Sequence, residues 1–359
     1  MTKAEVRAAL REEPVGVAVL GAGYWGKNYV RNLAQLKEAT LWRVVDPDPA
    51  ALGRAKRLEP RAELGADPAE VFADPRIEAV VIATDVTQHA PLTCAALEAG
   101  KHVLVEKPLA TSASEAEQMV ATARRAERQL LVGHLMRYHP AVLQLKELID
   151  AGELGRVFYM YALRVNLGRI RSDENALWSF APHDLSVIRF LLGEHAVNVS
   201  ARGRAFLQAG VEDVVFVNLD YPSGAMAQIQ LSWLDPHKTR RLTVVGSKKM
   251  VVFDDTQAAE KLRIYDKGVE SPPEYESYGE YLSLRNGDIH IPRVSLAEPL
   301  TAECLHFLAA ARGLSAPRTP GEEGLAVVRL LEAAQRSMGD GGAPVTISSV
   351  PEDSSGIAR

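Results

Sequence analysis

The chain has 359 residues, of which 47% are hydrophobic and 24% charged, with a formal net charge of -5. This length predicts two domains, each able to bury its own core, while the acidic balance argues against nucleic acid and no apolar run approaches the ~20 residues of a membrane span. The only two cysteines, Cys94 and Cys304, lie in helical periodicity and read as core thiols, and the charged stretch from Met1 to Glu13 is unlike a signal peptide, so a cytoplasmic protein is expected.

In chain order, the apolar run Val15 to Leu20 leads into Gly21-Ala22-Gly23-Tyr24-Trp25-Gly26 and then a helical pattern to Leu36. In such a strand-turn-helix the first glycine allows the tight turn, the second lets a pyrophosphate approach the backbone, and the third lets helix and strand pack closely. The helix N-terminus offers unpaired N–H groups and the positive end of its dipole to the phosphates. A second apolar run ends at Asp46, 20 residues beyond Gly26, close to the ~20 at which an acid binds the ribose hydroxyls. A glycine pattern alone is weak evidence, but strand, helix and acid all stand in order here. Asp46 would repel a 2′-phosphate and so favours NAD over NADP. Arg43 and Arg54 are the nearby cations that could soften this preference, and Pro47 takes the position where a phosphate-binding residue would be most telling.

Leu41 to Val45, Ala79 to Ala83, His102 to Val105 and Leu130 to Gly133 continue as strands. They alternate with helical patterns at Pro49 to Arg57, His89 to Ala99 and Ser114 to Arg128. This is the βαβ pattern of a doubly wound parallel sheet, an α/β Rossmann domain over 13–135. After a helix from about Pro140 to Ala151, the periodicity changes to strands at Val157 to Val165, Val197 to Phe206, Asp213 to Tyr221, Ala225 to Leu234, Arg240 to Val245, Met250 to Asp254 and Lys261 to Asp266. Pro222-Ser223-Gly224 and Gly246-Ser247-Lys248 read as hairpin turns. A helix at Asp184 to Leu192 interrupts the strands, and helices return at Pro299 to Arg312 and Gly321 to Met338. Residues 136–340 are therefore expected to form an α+β domain with a large, mostly antiparallel sheet for substrate binding and self-association. The remainder, 341–359, is expected to be a mobile tail.

Nucleotides bind at the C-terminal edge of a parallel sheet. There the chain places His102-Val103-Leu104-Val105-Glu106-Lys107-Pro108. A lysine directly after a buried strand, held by a proline, could exchange a proton with a hydroxyl if desolvation or nearby charge lowers its pKa from ~10.4; the plainer alternative is a solvated lysine at a strand end.

These motifs resemble the glucose-fructose oxidoreductase, inositol dehydrogenase and rhizopine-catabolism (Gfo/Idh/MocA) family over nearly the whole chain. The resemblance rests on Gly21 to Gly26, Ala83-Thr84 through His89, Gly100 through Pro108, Gly133 to Pro140, and Gly152-Glu153-Leu154-Gly155. It implies a catalytic Lys107 beside nicotinamide and substrate, a Glu106 that positions cofactor and lysine, and a cis Pro108. Thr84 and His89 would lie by the nicotinamide half, with Tyr24 and Trp25 at the mouth of the phosphate helix; burial of Trp25 against the first strand and a structural His89 are the alternatives. The family often carries an aspartate four residues before a catalytic histidine at a helix entry. Here His183 takes the histidine position, Ser179 stands where the aspartate would be, and Asp184 could cap the helix or contact substrate. His183 would then orient the sugar while Lys107 handles the proton.

Arg164, Asn166, Arg169 and Arg171 precede that helix, and their guanidiniums could grip a diphosphate, a solvated basic loop or subunit contact being the alternative. The expected enzyme is an NAD-dependent oxidoreductase acting on a ring secondary alcohol, at C3 of a UDP-linked amino or N-acetyl sugar. A free sugar or inositol dehydrogenase, a reductase for a non-sugar ring, and a non-catalytic NAD- or sugar-binding regulator are the alternatives. The resemblance also implies a homodimer or homotetramer formed through the open sheet.

Overall fold

The computed structural model of the protein describes residues 2–168, 170–172, 174–270 and 283–347. It divides into two compact units, 1–144 with 294–329 and 145–293 with 330–359.

The first unit opens with α1 (Lys3–Glu12), started by a Thr2/Glu5 capping box. Then follow β1 (Val15–Leu20), α2 (Gly26–Gln35), β2 (Ala39–Val45), α3 (Pro49–Leu58), β3 (Glu63–Gly65), α4 (Ala69–Ala73), β4 (Ala79–Ile82), α5 (His89–Glu98), β5 (His102–Val105), α6 (Ala113–Ala126) and β6 (Leu130–Val132). The six strands pair in the order β3-β2-β1-β4-β5-β6, all parallel. Strand order reverses between β1 and β4, which creates the crevice where such sheets bind nucleotides. Every residue of β1 and β4 is buried, as expected for strands covered on both faces.

The helix α7 (Pro140–Asp150) leads into β7 (Val157–Val165), α8 (Ala176–Leu192), β8 (Asn198–Arg204), β9 (Val214–Asp220), β10 (Met226–Ser232), β11 (Thr239–Gly246), β12 (Met250–Asp254), β13 (Leu262–Glu270) and β14 (Ser283–His290). The last elements among the described residues are α9 (Pro299–Ala311), α10 (Gly321–Gly339) and β15 (Val345–Thr346). The second sheet runs β14-β13-β12-β11-β7-β10-β9-β8-β15 and is antiparallel except for the β7–β10 pair. Both expected turns form: Gly224, at φ +83, closes the β9–β10 hairpin, and Gly246 N–H donates to Lys249 O between β11 and β12. The helix α8 packs on β7, β9 and β10. Strands β9 and β10 alternate buried and exposed residues, leaving Phe216 and Met226 in the open.

Three features depart from the sequence expectations. Residues 294–329 belong with the first unit: Leu300, Cys304, Phe307 and Leu308 of α9 share a core with Val17, Val19, Tyr29, Val30 and Leu33. Periodicity shows that α9 has an apolar face but not which sheet that face meets. The helix expected from Asp184 begins two turns earlier, at Ala176, where Asn175 caps it by accepting from Trp178 N–H, and it continues through Pro182, a residue that ordinarily interrupts a helix. Val345 and Thr346, placed in the expected tail, pair with Val199 and Asn198, while 348–359 lie outside the described residues.

Candidate active site

The glycine turn is built by contact. At Gly21, φ is +87 and a Cβ would lie 2.6 Å from Ala83 O, while a Cβ on Gly26 would lie 1.9 Å from Gly21 O. Those two positions therefore need glycine for the protein's own packing. A Cβ on Gly23 would meet nothing within 4 Å, so that glycine leaves room for something other than protein. No side chain caps α2, so the positive end of its dipole faces the turn without a side-chain partner. Asp46 is buried; its carboxylate accepts from Ala22 N–H at 2.6 Å and from Asp48 N–H at 2.8 Å, which fixes it beside the turn. Arg43 pairs with Glu63 and Glu70 and Arg54 with Asp48, so both cations near Asp46 are already engaged. Tyr24 is 80% exposed with the Lys27 ammonium over its ring.

At the end of β5 the chain turns through Glu106, Lys107 and a cis Pro108. Lys107 N–H donates to Glu106 Oε2 at 3.0 Å, and His89 Nδ1 lies 2.9 Å from Pro108 O. The turn is thus held on both sides of Lys107. Glu106 is buried; its Oε1 accepts from the Tyr29 hydroxyl at 2.8 Å, and the Trp25 side chain also hydrogen-bonds to it, which for an indole means donation by Nε1–H. Burial raises the Glu106 pKa, opposed by the nearby Lys107 charge and these donors. Tyr29 also lies 3.2 Å from Glu303 Oε2, and burial beside Glu106 pushes Glu303 well above the glutamate range. His89 is buried, which lowers its pKa and favours the neutral ring. Thr84 donates to Asp85 O through its hydroxyl. Arg137 and Tyr138 are tied within the first unit, to Glu323 at 2.8 Å and Thr319 at 3.2 Å.

In the second unit, His183 is half-buried on α8, one turn after the buried Ser179. Asp184 does not cap the helix. Its carboxylate takes both forks of Arg164 from β7, Nε to Oδ2 at 2.6 Å and Nη2 to Oδ1 at 3.0 Å, and the desolvated pair raises the Arg164 pKa further despite burial. Arg171 pairs with Glu174 at 2.7 Å. Asn166 lies just past β7, its backbone N–H on Ser232 O, and Arg169 falls outside the described residues. Neither Arg164 nor Arg171 is the uncommitted anion receptor that the sequence suggested.

Residues 15–134 match the family model described as oxidoreductase family, NAD-binding Rossmann fold, and 142–252 match the GFO/IDH/MocA C-terminal domain. The scyllo-inositol 2-dehydrogenase (NAD(+)) of Bacillus subtilis (strain 168) is 32% identical over 66% of this chain and 73% of its own. The chain belongs to the Gfo/Idh/MocA oxidoreductase family. A protein of Magnetospirillum magnetotacticum MS-1, described as a candidate oxidoreductase, superposes with a TM-score of 0.77 at 33% identity, covering 89% of this chain and 99% of that one. GenD2 from gentamicin A biosynthesis, solved with NAD, gives 0.78 at 26% identity over 94% and 97% of the two chains.

The residues present suit the family's cofactor, NAD. The open approach at Gly23, the uncapped start of α2 and the acid at Asp46 supply what its pyrophosphate and ribose require. Sequence reasoning did not find Tyr29 and Glu303. A signal was present for Glu303, which interrupts the buried stripe Leu300, Cys304, Phe307 of α9 with a carboxylate. Among the described residues no group of three or more His, Cys, Asp or Glu could hold a metal ion, and no helix is long and apolar enough to cross a membrane.

Proposed function

We propose that this NAD-dependent oxidoreductase oxidises a ring secondary alcohol of an uncharged sugar or cyclitol, with Lys107 taking the hydroxyl proton. The supporting observation is the fixation of Lys107: its own N–H is bonded to Glu106 and the following carbonyl to His89, at the nucleotide-binding edge of the sheet. Bound NAD supplies the hydride acceptor. Gly21 would form the turn beneath the pyrophosphate, its own N–H bonded to Val45 O; the backbone at Gly23, Tyr24, Trp25 and Gly26 would receive the phosphates, and Asp46 the ribose hydroxyls. Thr84, two strands from Asp46 in the sheet order, would contact the nicotinamide half. His89 acts in this scheme by holding the Lys107 turn. Glu106, ionised beside Lys107, lowers the cost of the ammonium that forms when the lysine is protonated. His183, with Asn166, would hydrogen-bond substrate hydroxyls; the Arg164–Asp184 pair would present a neutral polar surface.

That pairing is what favours an uncharged ring over the UDP-linked sugar expected from sequence. A diphosphate would have to draw Arg164 away from a bidentate carboxylate, and the inositol activity of the B. subtilis relative supports the same choice. The test is NADH formation with inositols, free sugars and UDP-sugars side by side. Higher kcat/KM for a UDP-sugar than for every polyol would reverse the assignment, and absence of turnover with all of them would favour a binding protein. We also assign the open sheet face bearing Phe216 and Met226 to self-association, checked by light scattering of Phe216→Glu against the unaltered protein.

A further inference from the structure

Two buried carboxylates in the first unit, Glu106 and Glu303, meet at one phenol. The Tyr29 oxygen lies 2.8 Å from Glu106 Oε1 and 3.2 Å from Glu303 Oε2. A phenol has one hydrogen and can donate to one of them. If both carboxylates were ionised, the second contact would set a lone pair against a lone pair in the core. Either Glu106 or Glu303 must therefore carry a proton and be the donor in its own contact.

The surroundings decide which. Glu106 receives Lys107 N–H, a Trp25 hydrogen bond and the Lys107 charge. Glu303 faces Glu106, Tyr29 and Tyr138, with Cys304 next to it on α9, and none of these is a cation. Its second oxygen, Oε1, is buried with no hydrogen-bond partner. Arg31, the cation that acts on the adjacent Cys304, is engaged by Glu298. An anion at Glu303 would thus have one shared phenol and no counter-charge, whereas an anion at Glu106 has three donors and a lysine.

We propose that Glu303 is a positioning residue of the Lys107 turn: it carries a proton, donates it to the Tyr29 oxygen, and so commits the phenol hydrogen to Glu106. The chain of donors then runs one way, from Glu303 through Tyr29 to Glu106. Its effect is to keep Glu106 ionised and oriented behind Lys107, in a core where burial alone would neutralise it. No proton need leave Glu303 during a catalytic cycle. The role of the Lys107–Glu106 pair in turnover rests on the function proposed above; the protonation of Glu303 does not.

Infrared difference spectroscopy of the whole protein at neutral pH, in H2O and D2O, tests the protonation. The expected result is a carboxylic-acid carbonyl band, shifted in D2O, that disappears in Glu303→Gln. Absence of the band from the unaltered protein, or its survival in Glu303→Gln, overturns the proposal. The positioning role is read from the acid limb of the pH–kcat/KM profile. Where that limb reports protonation of Glu106, Glu303→Ala leaves Glu106 its Tyr29 bond but weakens it by removing the donor behind the phenol, and should move the limb up by about half a unit at most, a fraction of one ordinary hydrogen bond. Glu303→Gln, which donates through its amide, should restore it. Tyr29→Phe should shift the limb in the same direction as Glu303→Ala. A downward shift in Glu303→Gln would mean that a negative charge had been removed, and would overturn the proposal. Normal turnover by Lys107→Met would instead defeat the proposed function while leaving the infrared result to stand.

Discussion

The three glycines of the phosphate turn answer to different demands, and Gly23→Ala separates them. At Gly26 a Cβ would sit 1.9 Å from Gly21 O, whereas at Gly23 it would meet nothing within 4 Å, and Gly23 is not in the left-handed region. Alanine at 23 should therefore be tolerated by the fold, and the loss of unfolded-state freedom should stabilise the protein by about 0.4–1 kcal/mol, or roughly 1–4 °C in Tm. The same methyl occupies the space left for the pyrophosphate. Losing one charge-assisted N–H contact costs about 1.5–3 kcal/mol, which at ~1.4 kcal/mol per decade lowers NAD affinity about 10- to 100-fold. Thermal unfolding with and without NAD reads both effects. At a hundred times the wild-type Kd, NAD should stabilise the unaltered protein by about 2.7 kcal/mol and Gly23→Ala by about 0.4–1.4 kcal/mol. Gly26→Ala should instead lose about 2 kcal/mol or more before any cofactor is added. Equal NAD affinity in Gly23→Ala, or a loss of stability matching that of Gly26→Ala, would refute this account of the turn.

Lys107→Met should fold and bind NAD while turnover falls roughly 10²-fold or more; steady-state kinetics with near-normal kcat would remove Lys107 from proton transfer. His183→Asn keeps a hydrogen-bonding side chain without a titratable ring, so the expected change is a KM increase of roughly a few-fold, and a collapse of kcat with an altered pH profile would make it an acid or base. Arg164→Ala strands Asp184 without its cation and should cost about 3 kcal/mol in urea unfolding, with Arg164→Met/Asp184→Leu recovering most of it; wild-type stability in the single variant would show that the pair is not formed. Because the folded-state pKa of Glu303 is raised above the ordinary 4.5, its contribution is fully present below that pH and is lost as pH rises. Relative to Glu303→Gln, the unaltered protein should lose about 1.4 kcal/mol per pH unit above that value until the folded pKa is reached; parallel stability curves would contradict the buried acid.

Much of the first unit could be read directly, because its signals are local. The turn from Gly21 to Gly26, the acid at Asp46 and the Glu106-Lys107-Pro108 element each declare themselves within a few residues of a strand. The partnerships that set their chemistry were not legible. Tyr29 looks like any aromatic on the inner face of α2, and only tertiary folding brings Glu106 and Glu303 to its hydroxyl. The Arg164–Asp184 pair had the same difficulty: a strand cation and a helix acid 20 residues apart gave no hint of cancelling each other, so Arg164 read as an anion receptor. At α8 the first two turns were not legible, because a proline such as Pro182 is ordinarily a helix break and here lies inside the helix.

The first unit also constrains the order in which the chain can finish folding. Its core takes Cys304, Phe307 and Leu308 from α9, yet roughly 150 residues of the other unit are synthesised between the two pieces. At ~5–20 residues per second, the apolar surfaces of α1 and α2 that α9 covers wait roughly 10–30 s on the ribosome for their partner. A fragment ending near residue 144, the natural choice for expressing a cofactor-binding domain alone, would keep every strand of the parallel sheet and still expose that surface. Including residues 294–329 through a short linker is the construction that its core demands.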